Sequence, residues 1–223
     1  MSTAKTVLQR VALSLQDPSY VRWTKPEMLD WLTEAQRAIA RTPGVYSITR
    51  TIDLVPGTKQ SIPSDGWSLI TVTRNFDGNT PLSPVRLVTR SLIDTCVPDW
   101  HMSPPYPLVE NYTYDDRYPK EFFVFPPNDG TGRVEVVYMG IPAALTSEDD
   151  ELVLDDTFLP ALTNYVLYRA VMKESDYASG MQSAQAFFSA YNSELTLALE
   201  ARSRTTPNAA LVGGAVNANG GTE

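Results

Sequence analysis

The amino-acid sequence predicts an α+β fold: a helical bundle built from N-terminal helices and a C-terminal helical hairpin, an inserted antiparallel β region, and a flexible C-terminal tail. Apolar residues recur at helical spacing towards both ends of the chain, alternate along its middle, and thin out at its end. Accordingly, residues 1–44 are assigned to the N-terminal helices, 45–145 to the β region with one short helix, 146–203 to the hairpin and 204–223 to the tail.

The N-terminal helices carry clear start and stop signals. The first is expected over Ala4–Leu15 and ends at the proline-containing turn QDPSY. The second follows Thr24, which is expected to form a capping box with Glu27, while Trp23 and Met28 have the spacing of a hydrophobic staple. One face of this second helix should be buried, and its residues are Met28, Leu32, Ala35 and Ile39.

The middle of the chain predicts an antiparallel sheet. Asp77–Asn79 is a strong hairpin turn because Gly78 accepts a positive φ, and VPGTKQSIP is expected to hold a turn and a short return strand. A short helix is predicted within Pro84–Cys96, and the proline-dense loop after it should be pinned by Trp100 and Tyr106. The strand candidates are VYSITRTIDL, WSLITVTRNF, ENYTYD, EFFVFP and RVEVVYMG.

The C-terminal third predicts two helices that form an antiparallel hairpin. Asp155 or Asp156 is expected to cap the first helix, with Pro160 in its first turn. Ser175 or Asp176 is expected to cap the second. The seam between the helices is predicted to involve Met181, Ala184, Phe188, Tyr191 and Leu195.

The tail after Arg204 is rich in Gly, Asn and Ala and shows no periodicity, so it cannot bury enough surface to order itself alone. Its small apolar islands, Leu211, Val212 and Val216, are the residues by which a partner could hold it. They are therefore the candidate binding residues of the tail.

Charge and composition narrow the function classes. The formal net charge is -8, whereas a protein that depends on phosphate contacts normally carries an excess of Lys and Arg. No apolar run is long enough for a secretory signal or a bilayer span, and the single cysteine, Cys96, excludes an internal disulfide. We therefore expect synthesis in a cytoplasm and neither general nucleic-acid binding nor a membrane partner.

No set of residues predicts a catalytic, cofactor or metal site. The acidic run from Glu148 to Asp156 matches no calcium-loop pattern and is expected to be a solvated loop that caps a helix. Asp115 and Asp116 are expected to mark the end of a strand, and Cys96 with His101 is too few ligands for zinc. The aromatic residues on the strands are explained by packing, and the GTGR segment lacks the remaining features of a phosphate loop.

Three segments, taken in order, resemble the head-to-tail adaptor (connector) proteins of short-tailed bacteriophages. They are DPSYVRWTKPEMLDWLTEAQRAI, then EFFVFPP with VEVVYMGIP, then the helical region from DDTFLPALTNYVLYRAVMKES to NSEL, which together cover most of Val7–Leu199. The residues that carry the first and last of these resemblances are Arg22, Trp23, Thr24, Glu27, Leu29 or Met28, Trp31, Ala35 to Ile39, Tyr168, Arg169, Ala170, Phe187, Phe188 and Tyr191.

The resemblance implies a structural virion protein of the neck. Such adaptors form a ring, commonly dodecameric, beneath the portal protein, surround a channel through which genomic DNA passes without specific binding, and attach tail nozzle or tail fibre proteins. It also implies no cofactor and a tail that reaches the portal. Two other hypotheses remain open on the residues alone: a virion-associated cell-wall glycosidase using paired carboxylates, and a weak nucleic-acid-binding module using the helix between Arg22 and Arg41.

Overall fold

A computed structural model describes residues 2–173 and 178–204 of the chain. The chain divides into two compact units. The described residues within Met1–Ile39 and Ala143–Glu223 form the helical unit, and Ala40–Pro142 form the β unit. The described α-helices are α1 (Ala4–Ser14), α2 (Lys25–Ala40), α3 (Arg90–Cys96), α4 (Leu159–Met172) and α5 (Ala178–Arg204). The predicted mixture of helix and antiparallel sheet is confirmed.

The β unit contains two four-stranded sheets rather than the one sheet predicted. The first has the order β1-β8-β3-β4 and the second the order β2-β7-β6-β5. All pairs are antiparallel except β5–β6, which is parallel. The strands are β1 (Ser47–Asp53), β2 (Gly57–Ser61), β3 (Gly66–Asp77), β4 (Thr80–Pro84), β5 (Arg86–Leu87), β6 (Asn111–Tyr114), β7 (Glu121–Asn128) and β8 (Arg133–Gly140).

The expected return strand after β1 is the clearest error of topology. That strand is β2, and it pairs with β7 in the second sheet, whereas β1 pairs with β8. The predicted hairpin at Asp77–Asn79 is confirmed, because Asp77 pairs with Thr80 across the turn and Gly78 has φ +56°. The residues of the turn therefore predict the tight hairpin correctly, but they do not specify how strands that are distant in sequence pair.

The inner faces of the two sheets share one hydrophobic core. β3 contributes Leu69 and Val72, and Tyr112 on β6 is also buried. Hydroxyl groups connect the two sheets, since Thr71 Oγ1 lies 3.2 Å from Tyr112 Oη. The other core residues are Leu54, Ile62, Val85, Val109, Phe122, Val124, Val134, Val136 and Tyr138.

The segment after β4 differs from the sequence prediction in two places. The expected short helix begins only at Arg90, because residues 86–87 extend the second sheet as β5. Trp100 anchors the following loop as predicted: it is buried, and its Nε1 donates to Asp94 Oδ1 at 2.7 Å. Tyr106 is 54% exposed, so its side chain does not pin the loop; its backbone N–H donates to the Pro127 carbonyl oxygen instead.

In the helical unit, α2 begins at the predicted place. The Glu27 carboxylate accepts from the Thr24 backbone N–H at 3.3 Å, which confirms that half of the capping box, and the Thr24 hydroxyl donates to the same oxygen. Trp23 and Met28 are both buried. The predicted apolar face is confirmed, and each large aliphatic side chain on it contributes roughly 1.5–3 kcal/mol by its removal from water: Met28, Leu32, Ala35 and Ile39 are all 0% exposed.

Two buried polar residues on α2 hold the chain that precedes α4. Thr33 Oγ1 accepts from the Leu145 backbone N–H at 3.0 Å, and Gln36 Oε1 accepts from the Val153 N–H at the same distance. Both residues lie on or beside the apolar stripe that the sequence assigned to packing alone. They fix the irregular segment by satisfying backbone donors that would otherwise be buried without partners.

Two helices, α4 and α5, pack against each other, and Asp155 caps the short 3₁₀ turn before α4 rather than α4 itself, whose N-cap is Phe158. Asp155 accepts from the Thr157 N–H at 3.0 Å at the start of a short 3₁₀ turn, and Pro160 lies in the first turn of α4. The alternative caps Ser175 and Asp176 lie outside the described residues. Of the predicted seam, Ala184 and Tyr191 are buried, whereas Met181 and Phe188 are 59% and 43% exposed.

Candidate interaction surface

A shallow groove with aromatic walls lies on the helical unit. It has a volume of about 430 Å³ and is lined by Trp31 from α2 and by Tyr168, Arg169, Met172 and Lys173 from the end of α4. We call these five residues, together with Phe188 of α5, the aromatic groove. Trp, Tyr, Arg, Met and Phe are the residue types enriched in protein–protein interfaces.

Ring packing joins the groove to α5. The Tyr168 and Phe188 ring centroids lie 5.1 Å apart, and Phe188 lies 5.9 Å from Tyr191. Tyr191 in turn lies 5.3 Å from Tyr165, so that four rings form a continuous layer between the helices. Such contacts hold the partly exposed Phe188 and Tyr168 in fixed positions, which reduces the entropy cost of binding a partner there.

The two cations at the rim of the groove are each paired with a carboxylate of α2. Lys173 Nζ lies 2.6 Å from Glu27 Oε1, and Arg169 contacts Glu34. The hydrogen bond from Lys173 lowers the pKa of Glu27 below its ordinary value. Because the pairs neutralise the rim, the groove favours an uncharged partner rather than an anionic one.

Asp115 and Asp116 follow the end of β6, as predicted, and line a different cleft on the β unit. This cleft has a volume of about 840 Å³, and its lining also includes Arg117, Tyr118 and Phe123. Arg117 donates from Nε to Oδ1 and from Nη2 to Oδ2 of Asp115, and it lowers the pKa of that carboxyl group to about 2. The general acid of a glycosidase needs a raised pKa, whereas the pKa of Asp115 is lowered. Asp115 therefore does not suit that role.

We expect the Arg117→Gln substitution to raise the titration midpoint of Asp115 from about 2 towards its ordinary value of 3.8. Since the folded-state pKa is lowered, the ion pair stabilises the fold above the unfolded pKa, and this stabilisation is lost as the pH falls towards 2. Carbon-13 chemical shifts of the carboxyl group over a pH titration measure both midpoints. An unchanged midpoint in the variant would show that Arg117 is not the cause.

The acidic run before α4 is occupied by local structural contacts. Glu148 pairs with Lys25 at 2.6 Å, and this hydrogen bond lowers the pKa of Glu148. Asp150 accepts from the backbone N–H groups of Thr146 and Ser147, which lower its pKa. Within residues 2–173 and 178–204, no group of three or more His, Cys, Asp or Glu side chains has the geometry of a metal site.

Cys96 and His101 have separate surroundings. Cys96 is exposed at the end of α3. The His101 ring stacks on Trp100 with centroids 3.7 Å apart, and its Nδ1 lies 2.8 Å from Thr58 Oγ1. These contacts match the packed loop expected from the sequence.

The strand aromatics and Arg22, which are the residues that could contact a nucleic acid, pack within the protein. Among the aromatic residues on the strands, Tyr112, Phe122 and Tyr138 are buried in the core of the β unit and are therefore not available for stacking on bases. Arg22 places its guanidinium over the Trp23 ring, 4.8 Å from the centroid.

In the part of the chain that the structure describes, no helix is both long and apolar enough to cross a bilayer.

The candidate tail residues Leu211, Val212 and Val216 lie outside the described residues. The aromatic groove itself was not predicted, although the sequence pointed to its parts. Trp31 beside Leu32 widens the apolar stripe of α2, and Tyr168 and Phe188 belong to the segments that resemble phage adaptors. What was missing is the tertiary arrangement, in which α5 packs against α4 and side chains of α2 reach the end of α4.

An α+β fold with a groove of residue types enriched in protein–protein interfaces, and with Asp115, Glu148 and Asp150 in local ion pairs and hydrogen bonds, fits the class of structural interaction proteins. The family model described as SU10 adaptor protein matches residues 2–211, and the chain therefore belongs to this family. Membership implies a bacteriophage adaptor, a structural component of the virion at the head–tail junction that interacts with portal and tail proteins. No curated protein matches the chain.

Proposed function

We propose that this adaptor assembles as a dodecameric ring beneath the portal, lines the DNA channel, and attaches the tail nozzle or tail fibre proteins. The observation that carries this proposal is the family match over residues 2–211, which spans both compact units. The net charge of -8 supports a channel role, because like-charged walls repel the phosphates of a passing genome.

In this proposal residues 1–44 and 146–203 form one helical bundle, with the second range as a hairpin, and residues 45–145 form the inserted β region. The contacts of α4 with α1 and α5 support the bundle. Residues 204–223 form the tail that reaches the portal. Apolar side chains on an otherwise polar segment favour binding to a hydrophobic cleft, so Leu211, Val212 and Val216 are its contact residues.

Mixing the purified protein with portal rings at micromolar concentration tests the proposal. Negative-stain images should show an added ring of density beneath the portal. Replacing Leu211, Val212 and Val216 together with serine should weaken binding by at least roughly a hundredfold, since three apolar side chains lose their burial. The matched control replaces Asn208, Asn217 and Asn219 with serine and should bind as the unmodified protein does. Absence of added density for the unmodified protein would refute the ring.

A further inference from the structure

The edge strand β1 presents backbone groups that have no partner. β1 pairs with β8 over all seven of its residues without a bulge. The Gly140 N–H donates to the Tyr46 carbonyl oxygen and the Leu54 N–H to that of Gly132, so the even-numbered residues of β1 face β8. The N–H and C=O groups that point away from the sheet belong to Ser47, Thr49, Thr51 and Asp53. No described residue hydrogen-bonds to these outward groups.

The other edges of the two sheets are protected against pairing. β4 carries Pro81 and Pro84, which have no N–H to donate. β5 has only two residues, and the pairing of β2 shifts register between Gly57 and Lys59. Prolines, short strands and bulges are the usual means by which proteins prevent an edge from pairing with another chain. β1 has none of the three.

The sequence of β1 is symmetric about its centre. Residues 48–52 read ITRTI, so the order is the same in both directions from Arg50. In an antiparallel pair of two such strands, a twofold axis at Arg50 places Ile48 opposite Ile52 and Thr49 opposite Thr51 of the other copy. The hydrogen-bonding phase also agrees, because the groups of Thr49 and Thr51 are among those that point outward.

We propose that β1 pairs with β1 of a second copy of this chain, so that two four-stranded sheets become one continuous sheet. The pairing forms about eight backbone hydrogen bonds, because each hydrogen-bonded pair of residues exchanges two. Ile48 and Ile52 already pack against the core of the β unit while they are only partly buried, and the second copy extends this apolar edge. On the other face, threonine lies opposite threonine, a favourable cross-strand pair.

Arg50 is the residue that meets its own copy at the axis. Like charges directly opposite each other on neighbouring strands are destabilising. Each Arg50 is neutralised within its own chain, however, since its Nη2 lies 2.9 Å from Asp65 Oδ2. The Tyr138 hydroxyl donates to the other oxygen of Asp65 at 2.9 Å and holds that carboxylate in place. The ion pair therefore permits the close approach of the two strands.

The proposed pairing is a property of the free protein and goes beyond the proposed ring. Contacts around a cyclic ring are heterologous, so a twofold pair of β1 strands cannot be one of them. If the ring forms beneath the portal, the pair precedes docking and is released there, and this release rests on the proposed function. A short edge contact suits such a state, and we expect a weak dimer with a dissociation constant of about 10–100 μM.

Disulfide cross-linking of the full chain tests the register. In a Cys96→Ser background, which removes an exposed native thiol, the Ser47→Cys and Asp53→Cys variants are mixed. The proposed register places these two exposed positions opposite each other, with Cα atoms about 5.5 Å apart, within the range of a disulfide. Each variant alone is the matched control, because its own two cysteines lie about 20 Å apart along the strands. We expect the mixture to cross-link at least roughly tenfold faster than either control.

Sedimentation velocity measures the dimer without a cross-link. Thr49→Pro removes an outward N–H that takes no part in the pairing with β8, so it should weaken the dimer at least roughly tenfold and leave the fold intact. The matched control, Thr49→Val, keeps this N–H and should dimerise within about threefold of the unmodified protein. Asp65→Asn should weaken the dimer about fivefold at low salt and less at high salt, because the two facing arginines are no longer neutralised.

Three results would overturn the proposal. Equal cross-linking rates for the mixture and the controls would show that β1 has no preferred partner strand. A dimer that Thr49→Pro leaves unchanged would place the contact elsewhere. An unmodified protein that stays monomeric well above the expected range, beside a dimeric Arg50→Thr variant, would show that Arg50 prevents pairing at this edge. Portal rings enter none of these measurements, so failure of the proposed ring and failure of the β1 pair are distinguished.

Discussion

Replacing Asn128 with alanine is expected to destabilise the β unit by about 3–5 kcal/mol. Its side chain is 0% exposed and satisfies backbone groups from two loops. Asn128 Oδ1 accepts from the N–H groups of Gly130 and Gly132, and Nδ2 donates to the carbonyl oxygens of Tyr106 and Pro107. Each backbone group left without a partner in a buried place costs roughly 1–3 kcal/mol.

Urea denaturation followed by hydrogen exchange of peptides from residues 103–140 measures this loss within the β unit. Asn79→Ala is the matched control, because Asn79 is exposed in the β3–β4 turn and should change the stability by less than about 0.5 kcal/mol. The Asn128→Asp variant should lie between the two, since a carboxylate keeps the accepted bonds but cannot donate to the two carbonyl groups. Equal stabilities of the Asn128→Ala and Asn79→Ala variants would contradict the conclusion that Asn128 holds the two loops together.

From the sequence alone, Asn128 belongs to PNDGTG, a Gly- and Asp-rich turn between two strand candidates, and nothing indicates that it braces two loops. The turn after β7 is recognisable from its Gly and Asp residues, but the two strands that it joins belong to different sheets. β8 lies between β1 and β3, which precede it by many residues. Pairing over such separations is decided by the shared core rather than by local residue preferences.

The helical elements were predicted more closely because their signals are local. Thr24 and Glu27 define the start of α2 within one turn, and the apolar period identifies its buried face. The period does not reveal how much of a stripe a partner helix covers. Met181 and Phe188 were therefore assigned to a closed seam, although α4 leaves them partly exposed.

The aromatic groove could not be derived from spacing for a related reason. Trp31, Tyr168 and Phe188 lie on three different helices, and each side chain alone fits an ordinary buried face. Only the tertiary structure brings them to one surface, where Trp31 and Tyr168 line the same groove and Tyr168 packs on Phe188. The tail residues Leu211, Val212 and Val216 remain a prediction from composition, and the portal-binding experiment with their serine variant tests them.

Replacing Trp23 with alanine is expected to destabilise the helical unit by about 3–5 kcal/mol. Trp23 is 5% exposed, and its Nε1 donates to the Ala170 carbonyl oxygen at 3.1 Å. It thereby joins the start of α2 to the end of α4, next to the Glu27–Lys173 ion pair. The loss combines the cavity left by a large ring with the missing hydrogen bond.

Two variants separate the contribution of the ring from that of the hydrogen bond and test the role of Trp23. Trp23→Phe keeps most of the ring and loses the indole donor, so it should cost about 1 kcal/mol. Val21→Ala, at a neighbouring residue that is 81% exposed, should stay within about 0.5 kcal/mol of the unmodified protein. Thermal denaturation followed by circular dichroism at 222 nm ranks the three. If Trp23→Ala were as stable as Val21→Ala, the proposed structural role of the indole would be refuted. The expected order of stabilities would show that Trp23 stabilises the fold of the adaptor from within. The aromatic groove and the tail would then remain the candidate sites of contact with partner proteins.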